Sequence, residues 1–109
     1  MTRAVIERTG DGHYRSFFVS GHAGYAEEGE DIVCAGISAI VINTINCLED
    51  LLHEPIGYEY DEESGDISCV FKKVPSQKAS FLIDTMIHGL EWIRLTYGEE
   101  YLSYEIKEV

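Results

Sequence analysis

The sequence predicts an α+β protein, a two-layer α/β sandwich with a five-stranded mixed sheet and two helices on one face. Three observations point there. Five segments alternate apolar and polar residues, the signature of half-buried strands. Two longer segments repeat apolar residues at steps of three and four, as one face of a helix does. Their order along the chain is strand, strand, helix, strand, strand, helix, strand. With 109 residues there is material for one core of modest size, so a single domain is expected over 1–109.

Residues 2–8 (TRAVIER) and 13–20 (HYRSFFVS) alternate and are parted by Gly10-Asp11-Gly12, a strong hairpin signal. A glycine-rich loop follows. From Ile32 to about Leu52, Cys34, Ile37, Val41, Ile45, Leu48 and Leu52 fall on one helical stripe, and Asp31 stands where an N-cap belongs. Pro55 and Gly57 end that element. Residues 56–61 and 66–74 make a second strand pair across Glu62-Glu63-Ser64-Gly65. Pro75-Ser76 opens the second helix, whose apolar face is Ala79, Leu82, Ile83, Met86, Leu90, Ile93 and Tyr97. Gly98 stops it, and residues 100–109 supply the last strand.

Charge removes some functions from consideration. Twenty acidic residues stand against eight basic ones, a formal charge of −12. Phosphate recognition needs Lys and Arg to displace counterions, so nucleic-acid binding is not expected. A basic partner is, although most of the acids simply solvate the surface. The N-terminus has no signal-peptide pattern, and no apolar run is expected to approach the roughly 18 residues of a membrane span. Cys34, Cys47 and Cys69 are an odd count with no CxxC pair, so neither a disulfide framework nor a zinc knuckle is suggested. The expectation is a cytoplasmic chain with free thiols and no metal or other cofactor. His13, His53 and His88 have no metal-ligand spacing.

The stretch that carries chemistry is GHAGYAEEGEDIVCAGIS, residues 21–38. Cys34 falls in the first turn of the predicted helix, where the partial positive charge of the helix N-terminus favours a thiolate. His22 lies twelve residues upstream, and a loop of that length can bring its imidazole to the sulfur. Amides near Cys34 and Ala35 are candidate oxyanion donors. Gly21, Gly24, Gly29 and Gly36 permit close backbone approach. A bland reading competes: free cysteine is among the most buried residue types, and a loop histidine is usually only solvated.

Glu27, Glu28, Glu30 and Asp31 would raise a nearby thiol's pKa but favour a histidine cation, so their net effect stays open. Asp31 has two candidate roles, capping the helix or orienting His22. Ser38, one turn past Cys34, either bonds within the site or is a small packing residue. Cys47 lies thirteen residues along the helix and points elsewhere, and Cys69 alternates with Ile67 and Phe71 as core. Phe17, Phe18, Phe81 and Trp92 read as core or interface.

GHAGY followed by G-x-D-x-VCAGIS resembles the signature of the ribosomal-processing cysteine protease family, Prp, and the resemblance covers nearly the whole chain. It implies that His22 and Cys34 are the catalytic pair, with Gly21, Asp31 and Ser38 as supporting motif residues. It also implies a function: removal of a short N-terminal extension from large-subunit ribosomal protein number twenty-seven, cut after a Phe-Phe pair in an apolar segment. The partner implied is that precursor, as peptide substrate, and the protein is expected to be a homodimer. Two rivals stand beside this. One is a non-catalytic acidic binding module for a basic ribosomal protein; the other is a different thiol enzyme using the same pair of residues.

Overall fold

The computed structural model describes residues 1–27 and 31–109, so Glu28, Gly29 and Glu30 lie outside the described residues. β1 (Thr2–Arg8) and β2 (Tyr14–Ser20) form the first hairpin. α1 (Ile32–Asn46) runs on into a π-type turn, Cys47–Leu51. β3 (Ile56–Tyr60) and β4 (Ile67–Phe71) form the second hairpin, followed by α2 (Gln77–Tyr97) and β5 (Leu102–Glu108). The five strands make one sheet in the order β3-β4-β2-β1-β5. β1 and β5 are parallel and the other neighbours antiparallel, so the sheet is mixed as expected.

Both helices cover the same face. Ala4, Ile6, Phe17, Val19, Ile67 and Cys69 point toward them and join Val33, Ile37, Val41, Ile83, Met86 and Leu90 in one core. Residues of opposite parity, Arg3, Phe18 and Val70 among them, face solvent. The helices pack closely where Gly89 admits Ile40: a Cβ at that glycine would stand 3.1 Å from the Ile40 Cδ1 atom. Caps fix their starts. Asp31 accepts from the Cys34 N–H and Ser76 from the Ala79 N–H, each typically worth about 1 kcal/mol. Gly98, at φ 123°, ends α2. Tyr14 donates to Asp84 Oδ1 at 2.5 Å and ties β2 to α2. Burial and that carboxylate push the Tyr14 hydroxyl up to about 12.

Several expectations need correction. β4 ends at Phe71, short of Val74: Lys72 still donates to the Pro55 carbonyl in register, but proline has no N–H to return the bond, so the ladder stops there. Residues 100 and 101 belong to a turn ahead of β5. The four aromatics read as core or interface divide: Phe17 is core, and Phe18, Phe81 and Trp92 are exposed, so the core half of that reading holds for Phe17 alone. The helix from Ile32 to Leu51 is, by length and composition, apolar enough to cross a membrane. The expectation of no such segment fails because Ser38, Asn43, Thr44 and Asn46 interrupt the apolar letters without adding charge. In this fold that helix buries Val33, Ile37, Val41 and Ile45 against the sheet.

The register explains where a site forms. Val19, near the end of β2, pairs with Ile67 at the start of β4. The segment leaving β2 therefore meets the β3–β4 turn at one end of the sheet, beside the start of α1.

Candidate active site

A groove of about 470 Å³ opens there. Gly21, His22, Gly24 and Ala26 line it from the segment after β2, and Asp31, Cys34, Ala35 and Ser38 from the start of α1. Tyr60, Glu62, Glu63 and Gly65 form the opposite wall, and the buried side chains of Val19, Ile37 and Ile67 give it an apolar floor. All five site residues singled out in the sequence thus line one groove. His22 is exposed and Cys34 half-buried.

Gly21 is where the backbone requires glycine. Its φ is 84°, and a Cβ there would sit 2.5 Å from the Met1 carbonyl oxygen. The strand end can then turn sharply over β1 and set His22 at the groove's edge. On the far side Gly65, at φ 77°, brings the hairpin turn so close that a Cβ would lie 3.9 Å from the His22 Cε1 atom. The imidazole therefore lies beside Gly65 of the β3–β4 turn, one residue after the Gly21 bend.

Asp31 is the cap. Its Oδ1 accepts from the Cys34 N–H at 2.9 Å, and its Oδ2 accepts from the Tyr25 N–H at 2.9 Å and the Ala26 N–H at 3.5 Å. Burial raises this carboxyl, but the backbone donors of Cys34, Tyr25, Ala26 and Val33 outweigh it and hold it below its usual value. With both oxygens on amides, the structure favours the capping role over that of orienting His22. The candidate oxyanion donors fare differently from the expectation. The Cys34 N–H is held by the Asp31 side chain and the Ala35 N–H donates to the Asp31 carbonyl at 3.0 Å, so neither stands free. The reason is ordinary helix geometry: a good N-cap takes the amides that an anion would want.

The other cysteines are set apart. Cys69 is in the core, where burial pushes its thiol up to about 12, and Cys47 lies near Asn43. Among the described residues no group of three His, Cys, Asp or Glu is placed to hold a metal ion. Of the acids near Cys34, Glu27 is exposed and Glu28 and Glu30 lie outside the described residues. Sequence reasoning missed Tyr60, Glu62, Glu63 and Gly65, because only the β2–β4 register carries that hairpin to the groove.

The sequence pattern of the family described as Cysteine protease Prp matches residues 1–102. The Ribosomal processing cysteine protease Prp of Bacillus subtilis (strain 168) is 40% identical over 109 residues, covering 91% of this chain and 92% of that protein. Its namesake from Staphylococcus aureus (strain Mu50) is 30% identical over 89 residues, covering 82% of this chain and 84% of that one. The crystal structure of the S. aureus ribosomal processing protease Prp with a covalently linked product peptide superposes with a TM-score of 0.91. Its sequence identity is 28%, and the match covers 98% of this chain and all of that one. The same protease with a substrate peptide gives a TM-score of 0.86 at 27% identity. A fold shared along its length and a sequence match over nearly all of it agree: the chain belongs to the Prp family and is a cysteine protease.

Proposed function

We propose that this protease removes the short N-terminal extension of large-subunit ribosomal protein number twenty-seven, cutting after a Phe-Phe pair, with Cys34 as nucleophile and His22 as base. The observation that carries the reading is the single groove with an apolar floor that His22 and Cys34 both line. In the first step the imidazole takes the thiol proton, and the sulfur bonds to the scissile carbonyl carbon. The amine then leaves with the proton from the imidazolium, which gives an acyl-enzyme. Water, deprotonated by His22, releases the acyl group and restores the thiol. Val19, Ile37, Ile67 and Tyr60 suit apolar side chains on the acyl side. The acidic hairpin suits a basic stretch of the mature protein. A covalently linked product in the S. aureus relative is in keeping with thiol chemistry of this kind.

Cleavage of a peptide bearing Phe-Phe should exceed that of its scrambled version at least tenfold. Equal cleavage of both would leave the protease without this specificity. A peptide that is bound and left intact by folded protein would favour the acidic binding module instead.

The working unit in this reading is a cytoplasmic homodimer. Its three cysteines are free, and Phe81, Trp92 and Leu95 on α2 present an exposed apolar stripe, with Leu51 beside Phe81. A second copy would cover that stripe. Sedimentation should give a dimer for the wild type and a monomer for Phe81→Glu; a monomeric wild type would remove the dimer.

A further inference from the structure

Tyr25 sits between two residues that line the groove, Gly24 and Ala26, yet is not part of the lining. Its ring packs elsewhere. The ring centre lies 5.5 Å from that of Tyr97 at an interplanar angle of 83°, and 5.1 Å from that of Tyr101 at 75°. Both are edge-to-face contacts in the range that aromatic rings prefer. The two partners are firmly held. Tyr97 closes α2 and packs against the core. The Tyr101 N–H donates to the Gly98 carbonyl at 3.1 Å, and the Tyr101 carbonyl accepts from the Thr2 N–H at 2.9 Å. Gly24, at φ 74°, makes the bend between His22 and Tyr25.

The backbone of the same residue faces the site. The Tyr25 N–H donates to one oxygen of Asp31, whose other oxygen receives the Cys34 N–H. One short chain of contacts therefore runs from two rings, Tyr97 at the end of α2 and Tyr101 in the turn after it, through Tyr25 and Asp31, to the amide of Cys34. We propose that Tyr25 is a positioning residue: the clamp of Tyr97 and Tyr101 on its ring fixes the groove wall at 24–26 and holds Asp31 across the start of α1. The proposal deepens the reading above, since it takes Cys34 as the nucleophile and His22 as its base. Without the clamp, the carboxylate loses a fixed partner, and the segment after His22 keeps only weaker holds among the described residues: buried Ala23 and the backbone bonds of Tyr25 and Ala26 to Asp31.

The test compares Tyr25→Ala, Tyr25→Leu and Tyr25→Phe with wild type by two readouts. One is kcat and KM on the Phe-Phe peptide. The other is the rate of Cys34 alkylation by iodoacetamide, read by mass spectrometry, with buried Cys69 as an internal check of folding. Y25A and Y25L should lower kcat/KM roughly tenfold, the scale set by losing two edge-to-face contacts. Both kcat and KM should move, because base and wall share one segment. Cys34 alkylation should slow several-fold in both variants.

Y25F should restore most of both, since the clamp acts on the ring. Unchanged kinetics in Y25A and Y25L, Cys34 alkylation as fast as wild type or faster, or a Y25F as impaired as Y25A would each overturn the proposal. If Y25A exposes Cys69, the bulkier Y25L decides. Alkylation needs no peptide, so a wild type that cleaves nothing counts against the substrate reading, while the Y25L alkylation rate still decides the clamp.

Discussion

Gly21 meets two demands at once, a left-handed backbone and a 2.5 Å gap to the Met1 carbonyl for any added Cβ. Gly21→Ala is expected to cost roughly 1–3 kcal/mol of stability, measured by urea unfolding, and to lower peptide cleavage further by shifting His22. A variant as stable and active as wild type would show the turn to be permissive. Asp31 allows a cleaner separation of cap from charge. Asn caps helices about as well as Asp, so Asp31→Asn should change stability by less than about 0.5 kcal/mol at pH 7, whereas Asp31→Ala should cost about 1 kcal/mol. The pH dependence has a definite sign. The folded-state pKa of Asp31 is lowered, so its contribution is complete above the unfolded value near ~4 and is lost as pH falls below it. Acid unfolding curves of wild type and D31N should differ below about pH 4 and nowhere above it. At this scale the sequence was most legible, because the cap, the thiol in the first helical turn and the preceding glycine are all local. The amides already bonded around Cys34 were not, since they depend on which way Asp31 points.

Elements carried a clear signal wherever their period matched one buried face. The buried positions of α2, Ala79, Ile83, Met86, Leu90 and Ile93, all stand on the face read from spacing. The outer face was opaque, because spacing leaves Phe81 and Trp92 as either core or interface, and only the structure shows both exposed, with Leu95 beside them. The π-type turn at Cys47–Leu51 continues an apolar stripe and has no sequence mark of its own. The junction of β2 with α2 offers a test through Tyr14. Its folded pKa is raised to about 12 by burial and the bond to Asp84, so its contribution is complete below the unfolded value near ~10 and fades as pH rises toward the folded one. Tyr14→Phe should lose about 1.5 kcal/mol at pH 8, and its stability should fall less than that of wild type between about pH 10 and 12. Parallel curves for the two proteins over that interval would remove Tyr14 from the linkage.

Across the whole molecule, strand count, helix count and order followed from local periodicity, whereas the sheet order β3-β4-β2-β1-β5 depends on contacts distant in sequence. That order gives the groove its second wall, with Glu62 and Glu63 beside Tyr60. The acidic hairpin adds local weight to a net charge of −12. If it draws a basic substrate, cleavage should weaken as salt rises from about 0.05 to 0.5 M, because the Debye length shrinks well below 10 Å. Glu62→Gln with Glu63→Gln should flatten that response, and a wild type indifferent to salt would discard electrostatic attraction. The central claim, that Cys34 and His22 are the working pair, is tested most directly by mass spectrometry of one peptide. That peptide spans the extension of ribosomal protein number twenty-seven and is incubated with wild type, Cys34→Ala and His22→Ala. The account expects cleavage after the Phe pair by wild type and none by either variant; cleavage that survives the loss of Cys34 would contradict it.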